Sequence, residues 1–144
     1  MKNTLGIVGL WISVTLMIGG CVSLGERVLD SGTQALQLRT IQTRVFDTDD
    51  RERTLRTVIA TLQDLGFLIE KADATLGVVS GTKISRTGLW GLRMTVTVSP
   101  RGQGHLLVRA NAQFGQSAVT EAEPYQRFFA ALQHAMFLTV HQVD

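Results

Sequence analysis

The chain has 144 residues, 44% of them hydrophobic, with 14 Lys and Arg, 12 Asp and Glu, and one cysteine. That length supplies one ordinary hydrophobic core. A single cysteine excludes an intrachain disulfide, a Cys-based metal site and a redox pair, and a formal net charge of +2 gives no reason to infer nucleic-acid binding.

The charge is unevenly placed. Lys2 is the only charge in residues 1–25, and every acidic residue lies from Glu26 onward. After Lys2 comes an apolar run, Leu5-Gly6-Ile7-Val8-Gly9-Leu10-Trp11-Ile12-Ser13-Val14-Thr15-Leu16-Met17-Ile18, and then the small residues Gly19-Gly20 before Cys21. Positive start, apolar middle and small-residue end make the three-part build of a secretory signal peptide over residues 1–20. The stretch Ile18-Gly19-Gly20-Cys21 resembles the lipobox of bacterial lipoproteins, with Ile at the position where Leu is more usual. The resemblance implies cleavage before Cys21, a thioether-linked diacylglycerol on its sulfur and an acyl chain such as palmitate on its amine. Two or more such chains hold a protein stably at a membrane. Val22 is not the Asp that favours inner-membrane retention in enteric bacteria, which implies the periplasmic face of the outer membrane, with the inner membrane as the alternative. The competing reading is an uncleaved span, since residues 3–25 carry no charge and about 20 apolar residues cross a bilayer. The glycines before Cys21 fit a cleavage region better than a stable helix. Removing residues 1–20 leaves 13 basic against 12 acidic groups.

Residues 21–37 read as a lipidated N-terminus and polar tether, and residues 38–144 as a single α+β domain. Ile41-Gln42-Thr43-Arg44-Val45 alternates apolar and polar, which predicts a strand over 38–46. With Asp49 as N-cap, Glu52 falls at N3 of a helix whose apolar stripe is Leu55, Val58, Ile59, Leu62 and Leu65 and whose stop is Gly66. Four strands are expected at 67–71, 76–84, 89–99 and 105–114. In the last two, Leu92, Met94, Val96 and Val98 and then Leu106, Val108, Ala110, Ala112 and Phe114 form the apolar rows, joined by a Pro100–Gly104 hairpin loop. A second helix is expected from Pro124 to Val140, with Phe128, Phe129, Leu132, Ala135, Met136 and Val140 on its stripe. The order β-α-β-β-β-β-α predicts an antiparallel sheet with two helices packed on one face.

Phe46-Asp47-Thr48, Thr61-Leu62-Gln63-Asp64-Leu65-Gly66-Phe67, Leu76-Gly77 and Tyr125-Gln126-Arg127-Phe128-Phe129 with Phe137-Leu138 resemble a family of short bacterial lipoproteins without an assigned biochemical activity. The likeness runs from 38 to 140. The element order also resembles the helix-grip domains of BamC-type lipoproteins, a likeness of fold alone.

Catalytic groups are not recognisable in the sequence: there is no Ser-centred nucleophile elbow, Cys/His pair or paired-carboxylate arrangement. His105, His134 and His141 lack an acidic partner at metal-ligand spacing, and Asp47, Asp49 and Asp50 are accounted for by helix capping. No enzyme, cofactor or metal is expected. From Ala74 to Thr120 there is no acidic residue, while Lys83, Arg86, Arg93, Arg101 and Arg109 all occur, with Trp90 nearby. Strand parity puts Arg93 and Arg109 opposite the apolar row, so these six residues form the expected contact surface on a basic outer sheet face. The functional expectation is an envelope lipoprotein with a non-catalytic accessory domain, meeting an envelope protein or an anionic envelope component. The alternative is an amphiphile-binding module with a pocket between helix and sheet. The sequence does not fix the oligomeric state.

Overall fold

The computed structural model describes residues 24–84 and 91–141. In chain order they form helix α1 (Leu24–Ile41), strand β1 (Thr43–Phe46), helix α2 (Arg51–Asp64), strands β2 (Leu68–Asp73), β3 (Val78–Ile84), β4 (Gly91–Pro100), β5 (Leu106–Phe114) and β6 (Ser117–Ala118), and helix α3 (Ala122–His141). Residues 1–35 and 36–144 are separate compact units. The described part of the first, residues 24–35, is helical, and the sheet, α2 and α3 all belong to the second.

Helix α2 begins where Asp50, one residue later than the expected Asp49, caps it. The Asp50 carboxylate accepts from the Arg53 backbone N–H at 2.9 Å, and the Thr48 hydroxyl accepts from the Asp50 N–H at 3.2 Å. Glu52 therefore sits at N2 rather than N3 and pairs with Arg56 at 3.2 Å on the exposed face. Asp50→Ala removes the partner of an N-terminal N–H and is expected to cost about 1 kcal/mol in a urea melt.

The helix ends as the Leu65-Gly66-Phe67 sequence requires. The Gly66 N–H donates to Gln63 O and the Phe67 N–H to Leu62 O, at 2.8 and 2.9 Å, with Gly66 at φ +84°. That is the paired bonding of a Schellman motif, and its usual apolar contact is supplied by buried Leu62 and Phe67.

The sheet is antiparallel in the order β1-β5-β4-β3-β2, with β6 also paired to β5. One face carries the core row: Val79, then Met94, Val96 and Val98, then Leu106, Val108, Ala110 and Ala112. Leu55, Val58 and Leu62 of α2 and Tyr125, Phe128, Phe129 and Leu132 of α3 complete the same core. Both helices thus cover one face, and the expected α+β layering holds. Ala110 and Ala112 leave room for the α3 aromatics. The Phe128 and Phe129 rings meet edge-on with centroids 5.1 Å apart.

The expected first strand needs correction. Residues 38–41 are the end of α1, and only Thr43–Phe46 is extended. Leu38 and Ile41 are three apart, so a helix presents both on one side, and both pack against the core. The stretch read as a tether is helical from Leu24. Arg44 covers the end of this helix. Its Nη1 donates to Thr40 O and Thr43 O, each at 2.8 Å, while the guanidinium carbon lies 5.1 Å from the Phe129 ring centroid.

Tyr125 closes a gap along one side of β5. Strand β1 pairs with β5 up to Arg109, and β6 begins pairing at Gln113. Between them, the Ala110 N–H donates to Gln42 O at 2.9 Å and the Ala112 N–H donates to the Tyr125 hydroxyl at 3.2 Å. The same hydroxyl donates to Val119 O at 2.7 Å and accepts from Gln42 Nε2 at 3.1 Å. A helix side chain therefore completes the ladder.

Candidate functional site

Two surfaces of the second unit carry the groups that could meet a partner. The first is the sheet face turned away from the helices. Register places Thr82, Arg93 and Gln113 in one row, Ser80, Thr95 and Asn111 in the next, and Val78, Thr97, Arg109 and Thr43 in a third. Arg93 and Arg109 do share this face, as strand parity requires.

Lys83 does not. It is the cross-strand partner of Leu92, on the helix side, and its Nζ donates to Leu65 O at 2.8 Å, at the C-terminus of α2. Arg101 lies in the exposed hairpin, where its backbone N–H donates to His105 O at 2.9 Å. Arg86, Trp90 and Cys21 lie outside the described residues.

The outer face is also less basic than the acid-free 74–120 stretch suggests. Strand β2 lies at the edge beside β3 and brings Glu70 within 3.4 Å of Arg93, while Asp73 stands in the Arg109 row next to Val78. Lys71 is paired with Ser80. Three cations and two carboxylates therefore share a face of Thr, Ser, Asn and Gln side chains. Sheet order, which is not a property of any one strand, interleaves the signs.

The second surface is a half-open cleft of about 110 Å³ where the end of α2 meets the start of α3 over β3 and β4. Phe67 and Met94, both buried, Leu65, Leu92 and Pro124 line it, with Lys83, Glu123 and Arg127 alongside. Arg127 pairs with Glu123 one helical turn away. Of these residues only Lys83 is in the expected contact set, and its same-side partner Leu92 is what turns it toward the cleft. A small-molecule site usually occupies about 300–1,000 Å³, so this cleft has room for a single apolar group. The α3 aromatics expected near a pocket are committed elsewhere: Tyr125, Phe128 and Phe129 are at most 2% exposed.

His105 and Asp47 meet, which the sequence spacing conceals. Nε2 of His105 is 3.3 Å from Asp47 Oδ1, and Nδ1 lies 2.7 Å from Gln103 O. The β1–β5 pairing creates this contact by setting Phe46 opposite Leu106. Both side chains are exposed, with Asp47 94% accessible. His134 is exposed on α3, and the side chain of His141 lies outside the described residues. Among the described residues no group of three or more His, Cys, Asp or Glu side chains could hold a metal ion, and no helix is long and apolar enough to cross a membrane.

No protein-family model and no curated protein matches this chain.

Proposed function

We propose that the protein is a lipid-anchored envelope protein whose α+β domain acts by binding, as an accessory or scaffold for a membrane-associated complex. The observation that carries the anchor is the apolar run ending in Ile18-Gly19-Gly20-Cys21, with Lys2 as the sole charge before it. Val22 supports the outer membrane as its site. The binding role is supported by a domain whose buried groups are spent on packing, with mixed charge on its open sheet face and an anchor-sized cleft beside its helices. Filling of the helix–sheet interface by Tyr125, Phe128 and Phe129 favours surface contact over an interior amphiphile.

Intact-mass spectrometry of the chain purified from membranes tests the anchor. The expected N-terminus is Cys21 carrying diacylglycerol and a third acyl chain, and Cys21→Ser should leave the membrane fraction or keep residues 1–20. A wild-type chain beginning at Met1, or an unmodified Cys21, would sink the reading. Crosslinking in intact cells tests the accessory role, for which one envelope protein should be enriched reproducibly. A monomeric domain with no enriched partner would count against it.

A further inference from the structure

We infer that the cleft between α2 and α3 is the anchor pocket of a protein partner, taking one bulky apolar side chain that stands next to a carboxylate. This rests on the reading of the domain as a binding module and names where that binding occurs. Size sets the first half of the specificity. About 110 Å³ is of the order of the space, about 150 Å³, that holds one benzene ring in a protein interior, and interface anchors fill pockets of this kind. The floor is fixed, because Phe67 is held by the Schellman motif and Met94 is 1% exposed.

Charge sets the second half. Lys83 and Arg127 stand at the cleft against one carboxylate, Glu123. The Lys83 ammonium spends one of its three N–H donors on Leu65 O, which leaves two. The Arg127–Glu123 pair is exposed, an arrangement of little net strength, so the guanidinium can turn to an incoming carboxylate. An apolar floor beside a net cationic mouth selects an apolar residue next to an acidic one.

Met94 is a built-in reporter. Full-length lipidated protein in phosphatidylcholine nanodiscs, with ¹³C-labelled methionine methyls, is titrated with acetyl-Ser-Gly-Phe-Asp-Gly-Ser-amide and with the same peptide bearing Lys in place of Asp. The Asp peptide should move the Met94 methyl signal and leave that of Met136, which packs against the core outside the cleft lining. The Lys peptide should bind roughly five-fold more weakly, as an exposed charge pair allows. In Lys83→Gln/Arg127→Gln, which alters two exposed side chains, the preference should vanish while the Met94 shift persists. Equal affinity for the two peptides, or no Met94 shift with either, would overturn the assignment. Sodium octanoate moving Met94 more strongly than the Asp peptide would overturn it too, by giving the cleft to an amphiphile. The mass of the N-terminus is read independently, so a failed anchor and a failed cleft are distinguishable.

Discussion

Tyr125→Phe should destabilise the domain by about 2–4 kcal/mol, although it removes a single oxygen atom. The hydroxyl joins three segments, with the Ala112 N–H and Gln42 Nε2 donating to it and Val119 O accepting from it. Tyr125 is fully buried, so water does not replace the lost oxygen without rearrangement. Two buried backbone groups lose their partner, each at about 1–3 kcal/mol. The ring is otherwise preserved, so no cavity term adds to this. For a domain of this size the melting temperature should fall on the order of 10–20 °C. Hydrogen exchange locates the effect: the Ala112 amide should lose protection before those of Val96 and Val98, which sit in unbroken ladders of the central strands. Gln42→Ala is the control. It removes one donor to a hydroxyl that keeps its other two bonds and should cost only about 1 kcal/mol. A Tyr125→Phe loss below about 0.5 kcal/mol would show that β5 does not depend on the hydroxyl to close its ladder.

This contact shows where a sequence reading stops. Tyr125 is legible as an apolar helix residue, and its companions Phe128, Phe129 and Leu132 follow at helical spacing. Nothing local says that its oxygen replaces a strand. That requires β1 to start at Thr43, opposite Arg109, and β6 to end at Ala118, opposite Gln113, leaving Ala110 and Ala112 between them. By contrast, α2 was legible almost whole, because both its apolar stripe and its Leu65-Gly66-Phe67 stop are local. The rows of β4 and β5 were legible for the same reason, since alternation over nine or ten residues fixes which side faces the core.

Leu38 to Ile41 is too short a window to separate a period of 2 from one of 3.6, and packing of Leu38 and Ile41 on the core decides for helix. Arg93 and Arg109 were placed correctly by parity within their own strands. Glu70 and Asp73 were missed because they reach that face from β2, which becomes a neighbour only through the sheet order. Lys83 sits in Val78–Ile84, where Ser80, Gly81 and Thr82 blur the alternation, and its side is set by pairing with Leu92. The cleft inherits this difficulty, because its lining comes from four elements. Long periodic runs within one element are readable, whereas short windows and features that need two or more elements are not.

Gly77→Ala should be the more damaging of two glycine substitutions made at nearly the same backbone angle. Gly77 lies at φ +71° and Gly102 at φ +67°, so each pays the left-handed penalty of an L-residue, roughly 1–2 kcal/mol. Around Gly102 there is open space. At Gly77 a methyl group would overlap Arg51 Nη2 and Val98 O and lie 2.9 Å from Arg51 Cζ. Those atoms are a clamp: Arg51 Nε donates to Val98 O at 3.2 Å and Nη2 to Thr75 O at 3.1 Å, tying the first residue of α2 to the β2–β3 turn and to β4. The turn is also held by the Val98 N–H donating to Gly77 O at 2.8 Å. Alanine must therefore displace both a side chain and a central-strand carbonyl, and the expected total is about 3–5 kcal/mol, against about 1–2 for Gly102→Ala. The double variant Arg51→Ala/Gly77→Ala separates the two obstacles. Removing the guanidinium frees one side of the new methyl, so the double variant should lose less than the sum of the singles, by about 1 kcal/mol. It should still fall well short of Gly102→Ala, because Val98 O remains in place. Equal losses for Gly77→Ala and Gly102→Ala in urea unfolding would mean that backbone angle alone accounts for the glycine and that the Arg51 clamp yields freely.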